Sequence, residues 1–247
     1  RQLNLNSIFI FPNMGDGGLS VGSALALHGQ LPMELEHVYL GENFTNDEVL
    51  NVLNENKKSL HWTTPKNLEK VVAKLLMNNK IIARFDGKME FGPRALGNRS
   101  ILYSCSDFSV NEWLNKKLKR SEFMPFAPIC ISEDDKLYFD VNEGERKACE
   151  FMTLVVKATD RMKKLCPAAV HIDGSCRPQF VKKNNNPKLH KLILEYKKLT
   201  GISCLINTSF NMHEEPIVNF PKDAVKAFLS AELDYLVIED YLVTRKG

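Results

Sequence analysis

The residues best suited to chemistry lie in eleven consecutive positions, EFGPRALGNRS, from Glu90 to Ser100. Gly92 and Gly97 permit left-handed backbone or a close approach of the main chain to a ligand. Arg94 and Arg99 supply planar, permanently charged donor forks that match phosphate or carboxylate. An anionic small molecule suits such a loop. The competing reading is a structural turn whose arginines pair with nearby Asp or Glu, and spacing alone does not separate the two.

Three further segments carry groups of the same kind. KKLKR (116–120) runs off the end of a predicted helix and offers Lys119 and Arg120 to an anion, although cations there also complement the helix dipole. HIDGSCRPQ places His171, Asp173 and Arg177 around Gly174, where His171 and Asp173 are equally well read as a mutually satisfied pair. NTSFN sets Asn207, Ser209 and Asn211 directly after a predicted strand, in a composition that ordinary turns also use. Each segment alone favours the structural alternative. Their recurrence at predicted strand ends, where open α/β sheets bind ligands, favours a site.

The elements that must position these residues follow from hydrophobic periodicity. SIFIF (7–11) is predicted as a buried strand, and residues 19–27 as a helix after a Gly-rich turn. Residues 29–64 are polar and irregular apart from a helix after Thr45 that aligns Val49, Leu50 and Leu53. Leu68, Val71, Val72, Leu75 and Leu76 share one helical face, and KIIARF (80–85) follows as the strand that leads into the arginine loop. Further helices are predicted at 110–119, 187–199 and 221–229, and strands at 126–131, 151–156, 202–206, 235–238 and 241–244. Helices and strands alternate without strict βαβ regularity, which predicts an α/β fold with a mixed, twisted sheet.

Composition narrows the function classes. At 247 residues, with 44% hydrophobic and 26% charged, the chain has the material for a large globular core. Lys and Arg exceed Asp and Glu by only 33 to 30, too small a surplus for a nucleic-acid coat, so an anion site must be local. No apolar run approaches the ~18 residues of a membrane helix. The polar start RQLNLN lacks a secretory pattern, so a cytoplasmic location without membrane association is expected. The six cysteines form no CxxC pair and the six histidines no HExxH pair, which argues against a zinc ribbon or any locally assembled metal site. Reduced, buried thiols are expected instead.

Taken in order, GPRALGNRSI, PFAP, HIDGxxRxQ and NTSFNxxxEPIV resemble the O-carbamoyltransferases of nodulation-factor and antibiotic biosynthesis, over nearly the whole chain from about Asn13 onward. The resemblance implies a C-terminal portion with a YrdC-like domain over residues 66–247, a connector at 46–65, and a remnant of an actin/Hsp70-like, metal-dependent transfer domain at 1–45. Asp16, in PNMGDGGLSVGSAL, matches a metal-binding aspartate of that domain, as one ligand for Fe2+ or another divalent ion whose histidine partners lie upstream of this sequence. In such enzymes ATP and carbamoyl phosphate, with Mg2+, give carbamoyl adenylate, and the carbamoyl group passes to a small-molecule hydroxyl acceptor. Arg94, Arg99, Lys119 and Arg120 would stabilise the phosphate charge. His171, Asp173, Arg177, Asn207, Ser209 and Asn211 would bind nucleotide and substrate.

The sequence departs from the family pattern in three places. KRSEFMPFAP carries Ser121 and Met124 where the family has Glu and Arg, and Glu214 stands where glycine commonly precedes EPIV. Loss of an arginine at Met124 removes one phosphate contact. Two rivals follow: a non-catalytic nucleotide- or RNA-binding module of the same fold, and a threonylcarbamoyl-adenylate synthase.

Overall fold

In the computed structural model, which describes residues 6–29, 35–118 and 126–246, short apolar runs form the strands and amphipathic stretches form the helices. The strands in chain order are β1 (Leu60–Thr63), β2 (Ile82–Phe85), β3 (Arg99–Tyr103), β4 (Ala127–Ile131), β5 (Phe139–Asp140), β6 (Val156–Ala158), β7 (Ser175–Cys176), β8 (Gln179–Val181), β9 (Cys204–Ser209), β10 (Tyr235–Ile238) and β11 (Tyr241–Arg245). The helices are α1 (Leu19–His28), α2 (Asn46–Glu55), α3 (Leu68–Met77), α4 (Val110–Lys117), α5 (Asp135–Tyr138), α6 (Arg146–Glu150), α7 (Asp160–Leu165), α8 (Pro187–Thr200) and α9 (Pro221–Ser230).

Eight strands make one mixed sheet in the order β1-β11-β10-β2-β3-β9-β4-β8, with β10/β2 and β4/β8 parallel and the other pairs antiparallel. A second sheet of three short strands, β5-β6-β7, carries the chain into the 171–177 turn. The large sheet is covered on both faces, so β2, β3 and β4 are buried along their whole length. On one face Val72, Ala73 and Leu76 of α3 and Leu189, Leu192, Ile193 and Tyr196 of α8 pack over Ile82, Leu102, Ile129 and Leu205. On the other, Phe85, Ile101 and Ile206 meet Leu114 of α4, Val225 and Phe228 of α9, and Val49 and Leu53 of α2.

The helix ends follow from local chemistry. In α8, Asn186 accepts from the Leu189 N–H, Pro187 stands at the first helical position and Gly201 closes the helix at φ 76°. In α2, Thr45 and Glu48 cap one another reciprocally.

Several expectations are corrected. Residues 7–11 form no strand: Ile8 N–H donates to the Gly144 carbonyl (3.0 Å), but no described strand pairs with the segment, and Phe9 stays half-exposed. The strand expected at 151–156 begins only at Val156. Phe151 and Met152 close α6 in a turn, with Met152 at φ 56°, and bury their side chains beside Val38 and Leu96. A short apolar run reports burial, and a buried turn satisfies it as well as a strand does. The helix expected after Thr45 is α2, and the rest of residues 46–65 includes β1, the edge strand of the large sheet against β11. All six cysteines are free thiols and buried, as expected. Among the described residues no helix is long and apolar enough to cross a membrane.

Strand direction decides where the polar motifs meet. At one edge of the large sheet β2 and β10 end, β9 ends, and β3, β4 and β8 begin. Residues 86–98, the 171–178 turn, the segment after Ser209 and Glu239 therefore gather there.

Candidate functional site

Residues 86–98 leave β2 and return as β3, and the Asp86 N–H donates to the Asn98 carbonyl (3.1 Å) to close the loop at its neck. Beneath that neck lies Arg84, a β2 residue only 4% exposed. Its guanidinium pairs with the Asp86 carboxylate and donates to the Gly97 carbonyl and to Asn98 Oδ1. Lys188, in the first turn of α8, reaches the other Asp86 oxygen at 2.9 Å.

Every main-chain polar group from the Ala95 carbonyl to the Arg99 N–H is held, mostly by side chains. Glu90 Oε1 accepts from the N–H groups of Leu96 (2.7 Å), Asn98 (2.8 Å) and Arg99 (3.3 Å). Asn207 donates to the Ala95 carbonyl (3.0 Å), and Gln179 to the Leu96 carbonyl (2.7 Å) while accepting from Asn207 (2.7 Å). The Gly97 N–H donates to Ser100 Oγ (2.9 Å). Gly97 itself sits at φ 105°, and a Cβ there would lie 2.2 Å from Leu189, so only glycine lets the loop meet α8 so closely. A loop rich in glycine and arginine is thereby made rigid, which removes an ordering cost from ligand binding.

On this base Arg94 lies close enough to Arg177 for its charge to act there. Both are half-buried, and among the described residues neither has a hydrogen-bond or ion-pair partner. Burial, and after it the positive charge of Arg94, lower the Arg177 pKa from its ordinary value, and its Nε is enclosed without an acceptor. Two guanidiniums whose charges interact, with no ion-pair partner among the described residues, offer the donors an anion would need.

Ser209 and Asn211 flank the same edge. Ser209 lies opposite Ser100 in the β3/β9 register, and the Phe210 N–H donates to the Arg99 carbonyl (3.0 Å). Ser209 Oγ donates to Asn211 Oδ1 (2.6 Å), whose amide donates to the Glu215 carbonyl (2.8 Å). Glu214 adopts φ 62°, a backbone conformation that explains why the family pattern has glycine there.

The other residues singled out from sequence take different places. Arg99 has no exposed surface; its guanidinium stacks 3.6 Å over the Phe85 ring, and Nη1 donates to the Asn98 carbonyl (3.1 Å). Its Nε and Nη2 have no acceptor among the described residues. Burial pulls its pKa down to about 10 against the opposing charges of Glu90 and Glu239, which leaves it charged at neutral pH. His171 Nδ1 contacts Ser175 Oγ (3.0 Å), which donates to Asp173 (2.6 Å), so these two residues build the turn that presents Arg177. Burial lowers the His171 pKa against the opposing charge of exposed Asp173, with the positive charge of Arg177 adding to the fall. Lys119, Arg120, Ser121 and Met124 lie outside the described residues. Asp16 is exposed in the 3-10 turn Asp16–Gly18 that precedes α1, and among the described residues no group of three or more His, Cys, Asp or Glu is placed to hold a metal ion. A transition-metal site generally needs three or more such ligands, so the described residues do not make one.

Sequence reasoning missed Arg84, Asp86, Glu90, Gln179, Asn186, Lys188 and Glu239. The readable signal was Arg84, a charge inside the otherwise apolar strand KIIARF, since a buried arginine requires a partner.

Glu239 gives this neck a pH dependence. Burial, then the neighbouring Asp86 charge, raise its pKa to about 7, against the Gly87 N–H it accepts at 2.9 Å. For Asp86, burial is outweighed by Arg84 and Lys188, and the carboxyl stays below its ordinary value. The raised group binds its proton more tightly in the folded than in the unfolded chain. Stability should therefore fall as pH rises from about 4.5 to about 7 and level off above. Glu239→Gln should abolish that decline and melt above the parent at pH 8, whereas an unchanged pH profile in thermal melts would remove Glu239 from the neck.

Residues 73–245 match the family model described as Carbamoyltransferase C-terminus. An uncharacterized protein of Methanocaldococcus jannaschii is 35% identical over 97% of this chain and 40% of its own length. Nodulation protein NolO of Bradyrhizobium diazoefficiens is 34% identical over 98% of this chain and 45% of its own. The chain thus spans less than half the length of either relative. Among solved structures, full-length HypF in its phosphate- and nucleotide-bound form superposes with a TM-score of 0.50 at 20% identity, over 76% of this chain and 22% of that one. That likeness concerns the fold, and it agrees with the YrdC-like mixed sheet expected from the motifs.

Proposed function

Because this chain belongs to the carbamoyltransferase C-terminus family, we propose that it binds ATP and carbamoyl phosphate at the 86–98 loop and forms carbamoyl adenylate for transfer to a hydroxyl acceptor. The observation that carries this reading is the Arg94 and Arg177 pair, two cations without an ion-pair partner among the described residues, at the same end of the sheet as Ser209 and Asn211. Water converts carbamoyl phosphate to carbamate and phosphate. A carbamate oxygen then bonds to the α-phosphorus of ATP as the bond to the bridging oxygen breaks, and pyrophosphate leaves. The acceptor hydroxyl later displaces AMP from the carbamoyl carbon. Adenylation concentrates negative charge on the α-phosphate and the leaving pyrophosphate, and prepositioned guanidiniums stabilise that charge without moving a proton.

Transfer to the acceptor is assigned in this reading to a separate metal-dependent unit, to which Asp16 and α1 belong. In α1, LSVGSALALH buries none of its side chains.

The test is isotope exchange between pyrophosphate and ATP, supplied as its Mg2+ complex, in the presence of carbamoyl phosphate or carbamate. Slow exchange that requires the carbamoyl compound is expected, with no carbamoylated alcohol formed. Confirmed ATP binding without exchange would point instead to a non-catalytic nucleotide module. Exchange driven by threonine with bicarbonate would point to a threonylcarbamoyl-adenylate synthase.

A further inference from the structure

The anion loop is braced from outside by a strap at residues 38–42. Its backbone pairs with residues 89–91: Phe91 N–H donates to the Val38 carbonyl (2.7 Å), Gly41 N–H to the Met89 carbonyl (3.0 Å), and Met89 N–H to the Glu42 carbonyl (3.2 Å). Tyr39 lies opposite Glu90 in this bridge. Beyond the backbone, the Tyr39 hydroxyl donates to the Leu96 carbonyl (2.9 Å) and accepts from the Asn186 amide (3.3 Å). The same Asn186 amide donates to Asn98 Oδ1 (2.8 Å), and its oxygen caps α8. Val38 and Leu96 share a small apolar cluster with Phe151 and Met152, against which Tyr39 and Phe91 pack. Burial pushes the phenol pKa far up, so the hydroxyl stays a donor throughout the physiological range.

From this arrangement we propose that Tyr39 is a positioning residue, whose hydroxyl ties the strap to the Leu96 peptide and so couples the strap to the aim of Arg94. The inference rests on the anion-binding reading of Arg94 and Arg177. It is separable from folding for a stated reason: the Leu96 carbonyl also accepts from Gln179 at 2.7 Å, so losing the phenol leaves no buried acceptor bare. Coupling of this kind is reciprocal, and an anion that orders the loop must also tighten the strap.

The test is Tyr39→Phe, which keeps the ring and deletes the hydroxyl, with inorganic pyrophosphate as the probe. Amide hydrogen exchange in the ligand-free variant should quicken at Leu96, Asn98 and Arg99 by about 3- to 10-fold, the scale of one neutral hydrogen bond, with little change in melting temperature. In the parent, pyrophosphate should slow exchange at Gly41 and Phe91, and the variant should lose that protection together with about 3- to 10-fold in affinity. Unchanged exchange at residues 96–99 in a folded variant overturns the inference. Faster exchange there in a chain whose parent binds no pyrophosphate upholds the positioning role and sinks the anion-binding reading instead.

Discussion

Arg94→Ala and Arg177→Ala are each expected to weaken ATP or pyrophosphate binding by about 10- to 150-fold, roughly 1.5–3 kcal/mol, the scale of one charge-assisted hydrogen bond. The melting temperature of the ligand-free chain should stay level or rise. The opposite signs follow from geometry. In the free protein Arg177 is half-buried, feels the like charge of Arg94 and has no partner among the described residues, so deleting either arginine relieves repulsion and deleting Arg177 also relieves desolvation. In the complex the same deletion removes a contact to phosphate. Because the two arginines act on one ligand, the double variant should lose less than the sum of the single losses. Titration calorimetry beside thermal melts reads both quantities. An unchanged affinity in the folded double variant would place the anion elsewhere, and a large fall in stability would make the pair structural.

Arg84→Met should have the largest effect on stability, about 3 kcal/mol, at the low end of the range for breaking a buried ion pair. Arg84 and Asp86 are 4% and 5% exposed, and the arginine also serves the Gly97 carbonyl and Asn98 Oδ1. Methionine fills the space but takes the arginine from all three acceptors, of which Asn98 Oδ1 keeps the Asn186 amide (2.8 Å) and the Gly97 carbonyl loses its donor. The Lys188 ammonium, 2.9 Å from Asp86, still compensates part of the carboxylate charge and holds the cost down. For a chain of this size the change corresponds to a fall of about 6–12 °C in melting temperature. Adding Asp86→Asn to Arg84→Met should recover part of the loss, since it removes the stranded charge. Equal stability of the single variant and the parent in denaturant titrations would show that the loop closes without its clasp.

The family was legible in one dimension, since the ordered set of motifs matched the one that the comparison then showed. GPRALGNRS singled out the loop at the end of the sheet, while its spacing left an anion loop and a structural turn both open. Periodicity likewise located α3, α8 and α9 and most central strands, since those segments bury one stripe or both faces. It failed at 7–11 and 151–156, where apolar residues are present without a neighbouring strand or within a buried turn.

Three-dimensional pairing decided the rest. Whether two arginines five residues apart in one loop play the same part depends on where the sheet ends. Arg99 opens β3 and is stacked beneath the surface on Phe85, whereas Arg94, still in the loop, comes within range of the charge of Arg177, from a turn 83 positions further along. The side chains that make the loop rigid come from β2, β8, β9, the residue before α8 and the 38–42 strap, at sequence separations that no local pattern encodes. A sequence specifies which groups can bind charge; only the register and direction of the strands decide that Arg94 and Arg177 come within range of each other while Arg84 and Lys188 are the cations that pair with Asp86.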